Sequence, residues 1–215
     1  RLGWLGDLRG YLPMEEGILD LCQSALTSFS DMGCQVDEAT LGMPPEQIWQ
    51  AWLVWRQALV GPRVAPFLIH PANRAHVKPE ALWEHDQSLT LTGAQLMSAS
   101  ASRTRYYLSM LQLFEKFDVL AIPVAQVWPF DVSWRWPQTV AGQAVDTYHR
   151  WMEVVIYATF AGLPSISVPA GFGANGLPMG LALIGKPQGD WALLKLAHAY
   201  EMANQDMITR QPPSI

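Results

Sequence analysis

Charged side chains are scarce in this sequence. Asp, Glu, Lys and Arg make up 15% of its 215 residues, against about 25% in an ordinary soluble domain. With 50% of residues hydrophobic, so low a share implies a large buried fraction or apolar surface meant for a partner. The charges sum to −5 and form no Lys/Arg-rich run, which argues against direct nucleic-acid binding. No uninterrupted apolar stretch reaches the roughly 18 residues that would span a bilayer, so no membrane partner is expected. The opening Arg1-Leu2-Gly3-Trp4-Leu5-Gly6-Asp7 meets a charge and two glycines too soon for a secretion signal. Cysteine is nearly missing: Cys22 and Cys34 lack CxxC spacing and read as reduced core thiols of a cytoplasmic protein.

The common signatures of chemistry are missing too. There is no GxSxG elbow and no Walker loop, so neither an α/β-hydrolase nucleophile nor a phosphate cradle is expected. Gly171-Phe172-Gly173-Ala174-Asn175-Gly176 matches GxGxxG by letter but precedes a strand-like run, Leu177 to Ile184. A dinucleotide fold needs a helix there, so the segment reads as a hairpin turn and no cofactor is expected. His70, His76, His85, His149 and His198 form no HxxxH pair or acidic ligand set, so no metal is expected. Ser98, Ser100 and Ser102 sit inside a helical pattern without glycine and read as small packing residues. Asp131, Asp146 and Glu153 lie near one another in sequence, but nothing in the spacing makes two of them an acid–base pair.

What is present is a regular alternation of strand and helix. Arg1 to Leu5 reads as a short strand, and Pro13, Glu15 and Glu16 suit a helix start. Ile18, Cys22, Ala25, Phe29 and Met32 then share one helical face. Gly33 stops that helix, and Cys34 to Leu41 returns as a strand. A second helix is expected over Pro45 to Val60, with Ile48, Trp52, Trp55 and Leu59 on one side and Gly61-Pro62 as its end. Pro79 starts a short helix through Trp83, and a long helix is expected from Thr92 to Phe117 with Met97, Ala101, Leu108, Leu111 and Phe114 inward. Asp118 to Pro123 is short and wholly apolar after its first residue, as a buried strand should be. An aromatic loop, Val124 to Pro137, carries Trp128, Phe130, Trp134 and Trp136. A helix over Tyr148 to Phe160 ends at Gly162-Leu163-Pro164, and strands Ser165 to Pro169 and Leu177 to Ile184 flank the turn. Asp190 is expected to cap a last helix through Ala203, followed by a polar, proline-containing tail. The sum is an α/β fold with an aromatic loop.

Two linked stretches carry a resemblance. Phe160-Ala161-Gly162-Leu163-Pro164-Ser165-Ile166-Ser167-Val168-Pro169-Ala170-Gly171-Phe172 and Gly176-Leu177-Pro178-Met179-Gly180-Leu181-Ala182-Leu183-Ile184-Gly185 resemble the C-terminal motif of amidase-signature enzymes. Phe117 to Pro123 looks like that family's "yDvLltP" strand, and Asp190 with Leu193-Leu194 and Ala199-Tyr200-Glu201 like its closing helix. The resemblance implies a partial mixed sheet flanked by helices, in a single region over residues 1–215. It also implies a serine hydrolase acting on amides, with a lysine, a serine in a cis peptide and a serine nucleophile beside a glycine- and serine-rich oxyanion loop. None of that loop is found in this sequence, so the chain alone is expected to be inactive. No catalytic residue is therefore carried over, and Lys78, Lys116, Lys186 and Lys195 are not placed to supply one. Val124, Thr159 and Ala182 stand where the family commonly has threonine, asparagine and glutamine.

The resulting expectation is the C-terminal structural and substrate-channel part of an amidase that cleaves carboxylic amide C–N bonds. Trp128 and Thr159 are the candidate substrate-binding residues. A small-molecule amide is the expected ligand of the full enzyme, and an absent N-terminal half or self-association is expected to cover apolar surface. Two other readings stand beside it: a non-catalytic interaction module derived from an amidase, and part of a tRNA-dependent amidotransferase subunit.

Overall fold

A computed structural model of the chain describes residues 1–174 and 176–209. Asn175 of the expected turn and the tail from 210 onward lie outside the described residues. Contacts gather into two compact units, Arg1–Gly42 with Ser109–Ile215, and Met43–Leu108.

The first unit is built on a five-stranded sheet. Its strands are β1 (Leu2–Trp4), β2 (Val36–Glu38), β3 (Val119–Pro123), β6 (Ser165–Phe172) and β7 (Pro178–Gly185), in the order β2-β1-β3-β7-β6. A separate two-residue hairpin is formed by β4 (Thr139–Val140) and β5 (Gln143–Ala144). β1 runs parallel to β2 and β3, whereas β7 runs antiparallel to β3 and β6. The sheet is therefore mixed, as the resemblance implied. β3 is central and buried at all five residues, which is why its sequence is continuously apolar rather than alternating. In β6 the alternation is clear: Val168 and Ala170 are buried, Ser165 and Ser167 exposed. A register shift falls between Pro169 and Gly171, where proline has no N–H to give and Gly171 adopts φ +133°.

Helix α1 (Ile18–Asp31) lays Ile18, Cys22, Ala25 and Phe29 on the sheet, and α6 (Asp190–Ala203) adds Leu193, Ala197 and Tyr200. Phe29 and Tyr200 stack at 4.7 Å, and the Tyr200 hydroxyl donates to the Pro169 carbonyl at 2.7 Å. At Gly3 a Cβ would come within 2.9 Å of Leu120, Ala39 and Phe117, so only glycine allows this close approach.

Several expected boundaries move. Asp190 is the first residue of α6, not its cap, and Gly189 precedes it without a side-chain bond. Its carboxylate serves the positive helix end by charge alone. The expected helix over Tyr148 to Phe160 is instead a 3-10 stretch, Arg150–Val155, followed by α5 (Ile156–Ala161). Met152 is non-helical there (φ −118°), and the β-branched run Val154-Val155-Ile156 weakens helix propensity. Gly162 ends α5 with φ 70°, as expected of a helix stop. A short α7 (Gln205–Ile208) follows α6.

The second unit is helical. Its α2 (Pro45–Val64) continues past Gly61-Pro62. Gly61 is there for packing, since a Cβ would lie 2.0 Å from Ser88 Oγ of α3 (Pro79–Ser88). Ile48, Trp49, Ala51, Gln57 and Glu84 are buried, and Glu84 pairs with Arg56. Helix α4 (Gly93–Leu113) opens with a reciprocal cap: Thr92 N–H donates to Gln95 Oε1 at 2.8 Å, and Gln95 N–H donates to Thr92 Oγ1 at 3.2 Å. Its inward face is corrected by the structure. Met97, Ala101 and Leu108 are exposed, whereas Ala99, Tyr106 and Met110 are buried; Phe114, just past the helix end, is buried as expected. Among the described residues no helix is long and apolar enough to cross a membrane.

Candidate functional site

Beyond β3 the chain turns through Val124 to Phe130 and meets β6 and β7 at the rim of a cleft of about 500 Å³. Val124, Trp128, Phe130, Trp151, Ser167 and Met179 are among the residues that line it, and among the described residues no charged side chain does. Ligand sites in α/β sheets gather beyond strand ends, where loops replace the sheet ladder. An apolar cleft of this size suits a small organic ligand.

Trp128 is held rigidly in that lining. Its backbone N–H donates to Glu15 Oε2 at 2.7 Å, and its indole Nε1–H donates to the Glu16 carbonyl at 3.0 Å. The indole N–H is therefore committed to the protein, and the ring carbons are what remains to line the cleft. Gln126, fully buried, ties the same loop down. Its side-chain amide donates to Pro13 O at 3.2 Å and accepts from Val154 N–H at 3.0 Å, while its backbone carbonyl accepts from Glu15 N–H at 2.9 Å.

Thr159 sits on α5, is exposed, and donates its hydroxyl to Val155 O at 3.3 Å. It is not among the residues that line this cleft. The structure thus brings Trp128, but not Thr159, into the lining. Ser167, Trp151 and Gly180 also line it and escaped sequence reasoning. Ser167 was legible in one respect: it is the polar position of an alternating strand.

The three carboxylates weighed in the sequence do different jobs. Asp131 Oδ1 accepts from Ser133 N–H at 2.8 Å, closing a turn. Arg150 joins the other two, at 3.1 Å from Asp146 and 2.8 Å from Glu153, and Tyr157 donates to the other Glu153 oxygen at 2.9 Å. Arg150's hydrogen bond holds the Asp146 carboxyl below its usual range. Burial pushes Glu153 up against the pull of Arg150. Burial also opposes the charge on Arg150, but its bonds to Asp146 and Glu153 outweigh this and raise its pKa. Both oxygens of Glu153 are engaged in this brace, so it is a structural anchor rather than a poised acid or base. Among the described residues no group of three His, Cys, Asp or Glu could hold a metal ion.

The mixed sheet, its closing helices and the hairpin after the αL turn define one class of protein, and comparison with known proteins gives it a family. The Amidase family model matches residues 9–194, and the chain belongs to that family. It is similar to a bacterial aryl acylamidase of the amidase signature family, with TM-score 0.82 and 26% identity, covering 98% of this chain and 46% of that one. A fatty acid amide hydrolase of Oryza sativa subsp. indica is 30% identical over 197 residues, 87% of this chain and 30% of the relative. One subunit of the glutamyl-tRNA(Gln) amidotransferase of Dehalococcoides mccartyi is 31% identical over 160 residues, 74% of this chain and 29% of the relative. The chain thus spans less than a third of the length of these two curated relatives.

Proposed function

We propose that this chain is the C-terminal, substrate-channel part of an amidase that hydrolyses carboxylic amide C–N bonds, with Trp128 as one wall of the channel. The observation that carries this reading is the apolar cleft beyond the end of β3, lined by Trp128, Phe130 and Trp151 with no charged side chain among the described residues. Indole and phenyl faces offer a large apolar surface to an aryl or alkyl group of a small-molecule amide. The family match, and the amides named for the aryl acylamidase and the fatty acid amide hydrolase, support it. On this reading the catalytic lysine and serines stand on a segment outside the chain, and the chain alone is inactive. The N-terminal half, or a second copy, covers apolar groups such as Trp134 and Trp191, and the enzyme works in the cytoplasm.

The likeness to the glutamyl-tRNA(Gln) amidotransferase favours a second reading, in which the chain is part of one of the subunits of such an enzyme. Among the described residues the lining has no charged side chain to pair with a charged amino-acid substrate, which weighs for the first. The test is Trp128→Ala in the full-length enzyme on a series of amides of increasing acyl bulk. The channel reading requires altered selectivity with thermal stability retained. Lost stability with the same substrate ranking would leave Trp128 as core packing. Turnover by the 215-residue chain itself, abolished by changing one of its own serines, would refute the inactivity of the isolated chain.

A further inference from the structure

We propose that Ser167 is the specificity-determining residue of the cleft: its hydroxyl donates a hydrogen bond to an acceptor carried on the otherwise apolar acyl or aryl group of the ligand. This rests on the amidase reading above and refines it by naming the ligand chemistry. The strand alternation of β6 sends Val168 and Ala170 into the core and leaves Ser165 and Ser167 on the other face. Of the two, Ser167 lines the cleft, and among the described residues it is the one hydroxyl side chain in that lining.

The rest of the lining offers little polarity. Both N–H groups of Trp128 are spent on Glu15 and Glu16. The indole nitrogen of Trp151 is shut off from solvent, and its ring stands edge-on to Phe130 at 5.5 Å. A diagonal neighbour of Ser167 on β7, Gly180, which pairs with Pro169, keeps the hydroxyl clear. At Gly180 a Cβ would come 2.8 Å from Ser167 Oγ and 2.9 Å from Val124 Cγ2, so any side chain there would push Ser167 aside or fill the cleft. Glycine at this position therefore preserves both the cavity and the reach of the hydroxyl.

The energetic logic is selective. An apolar ligand that fills the cleft strips water from Ser167, and a hydroxyl buried without a partner is penalised. A ligand of the same shape with one acceptor at that point restores the bond. Discrimination therefore arises from the acceptor rather than from size, which the apolar walls already govern.

Butyranilide and methoxyacetanilide form a matched pair, the second having an ether oxygen where the first has a methylene. Affinity for both is measured by calorimetry on the chain, and kcat/KM for both on the full-length enzyme, with Ser167 and with Ser167→Ala. The ether-to-methylene ratio should fall about 5-fold in Ser167→Ala, the worth of one ordinary hydrogen bond, with the melting temperature unchanged. A ratio that stays the same, or a uniform loss on both anilides, overturns the proposal. A shifted affinity ratio without hydrolysis by the full-length enzyme would sustain Ser167 and refute the amidase reading. Hydrolysis with an unshifted ratio would do the reverse, and absence of both binding and turnover would overturn both.

Discussion

In the sheet unit, the core shut away from water is hydrocarbon and aromatic: Leu2, Leu181, Leu183 and Phe29, with Tyr200 bonded through its hydroxyl. Its buried polar groups among the described residues, Gln126, His149 and Glu153, lie outside that cluster, and Gln126 and Glu153 brace the loops around the cleft. The helical unit is composed differently. It buries Gln57 and Glu84, a carboxylate paired with Arg56, alongside Ile48 and Trp49. One unit is held mainly by apolar area removed from water. The other sets a charge pair at a buried carboxylate, Arg56 with Glu84, beside the stacked rings of Trp49 and Trp52 at 5.3 Å. Burial by area tolerates little loss of volume, whereas burial by pairing depends on which partner is taken away.

The sharpest test of that contrast is a truncation in each unit. Leu181→Ala in β7 should cost about 3 kcal/mol, read as a shift in the urea midpoint. Phe67→Ala, at a side chain 65% exposed in the helical unit, should cost less than about 0.5 kcal/mol. Equal losses would erase the distinction. Next in size is the ion pair. Arg56→Ala removes the guanidinium that compensates a buried carboxylate and should cost about 2 kcal/mol, discounted because Arg56 is itself 38% exposed. Glu84→Gln, which buries a neutral amide instead, should cost less. The opposite order would show that apolar packing, not charge, dominates the helical unit.

The smallest effect is a pH dependence at the brace beside the cleft. Arg150 lowers the folded-state pKa of Asp146. Its stabilising contribution is thus present above the unfolded value of about 3.9 and is lost as pH falls through the folded value. Glu153, raised by burial, has the opposite sign: its contribution is present at low pH and fades as pH rises above about 4.3, the ordinary carboxyl value. Asp146 is 59% exposed, so its share is below about 1 kcal/mol. The stability difference between the natural chain and Asp146→Asn should hold steady near neutrality and shrink below about pH 4. A difference that persists to about pH 2 would exclude the pairing as its source.

Strands β3, β6 and β7 and helices α1 and α6 could be read from the sequence because their patterns answer to one buried side and to local turn chemistry. Gly162 and the residues around Pro169 announce their own geometry. Helix α4 was misread because it carries two stripes at helical spacing. Met97, Ala101 and Leu108 form one, Ala99, Tyr106 and Met110 the other, and only tertiary packing decides which is buried. Gly61 was misread for a related reason: a glycine that stops a helix and one that admits a neighbouring helix look alike in sequence. In the cleft, Trp128 was legible because it follows a buried strand directly. Its spent indole N–H was not, since the acceptor belongs to Glu16. Thr159 looked available as a free hydroxyl, yet it bonds back to its own helix. Trp151 was hidden because nothing in the sequence brings it across to β6 and β7.

The bond from Trp128 to Glu15 joins positions 113 apart. Closing so long a ring of chain costs entropy, which is offset only once β1 and β3 have paired in register. In kinetic terms the cleft wall is a late product of assembly. The peptide from Val124 to Pro137, taken by itself, has the aromatic side chains but not the surface they make. During synthesis that surface cannot exist until residue 128 has joined a segment made more than a hundred residues earlier.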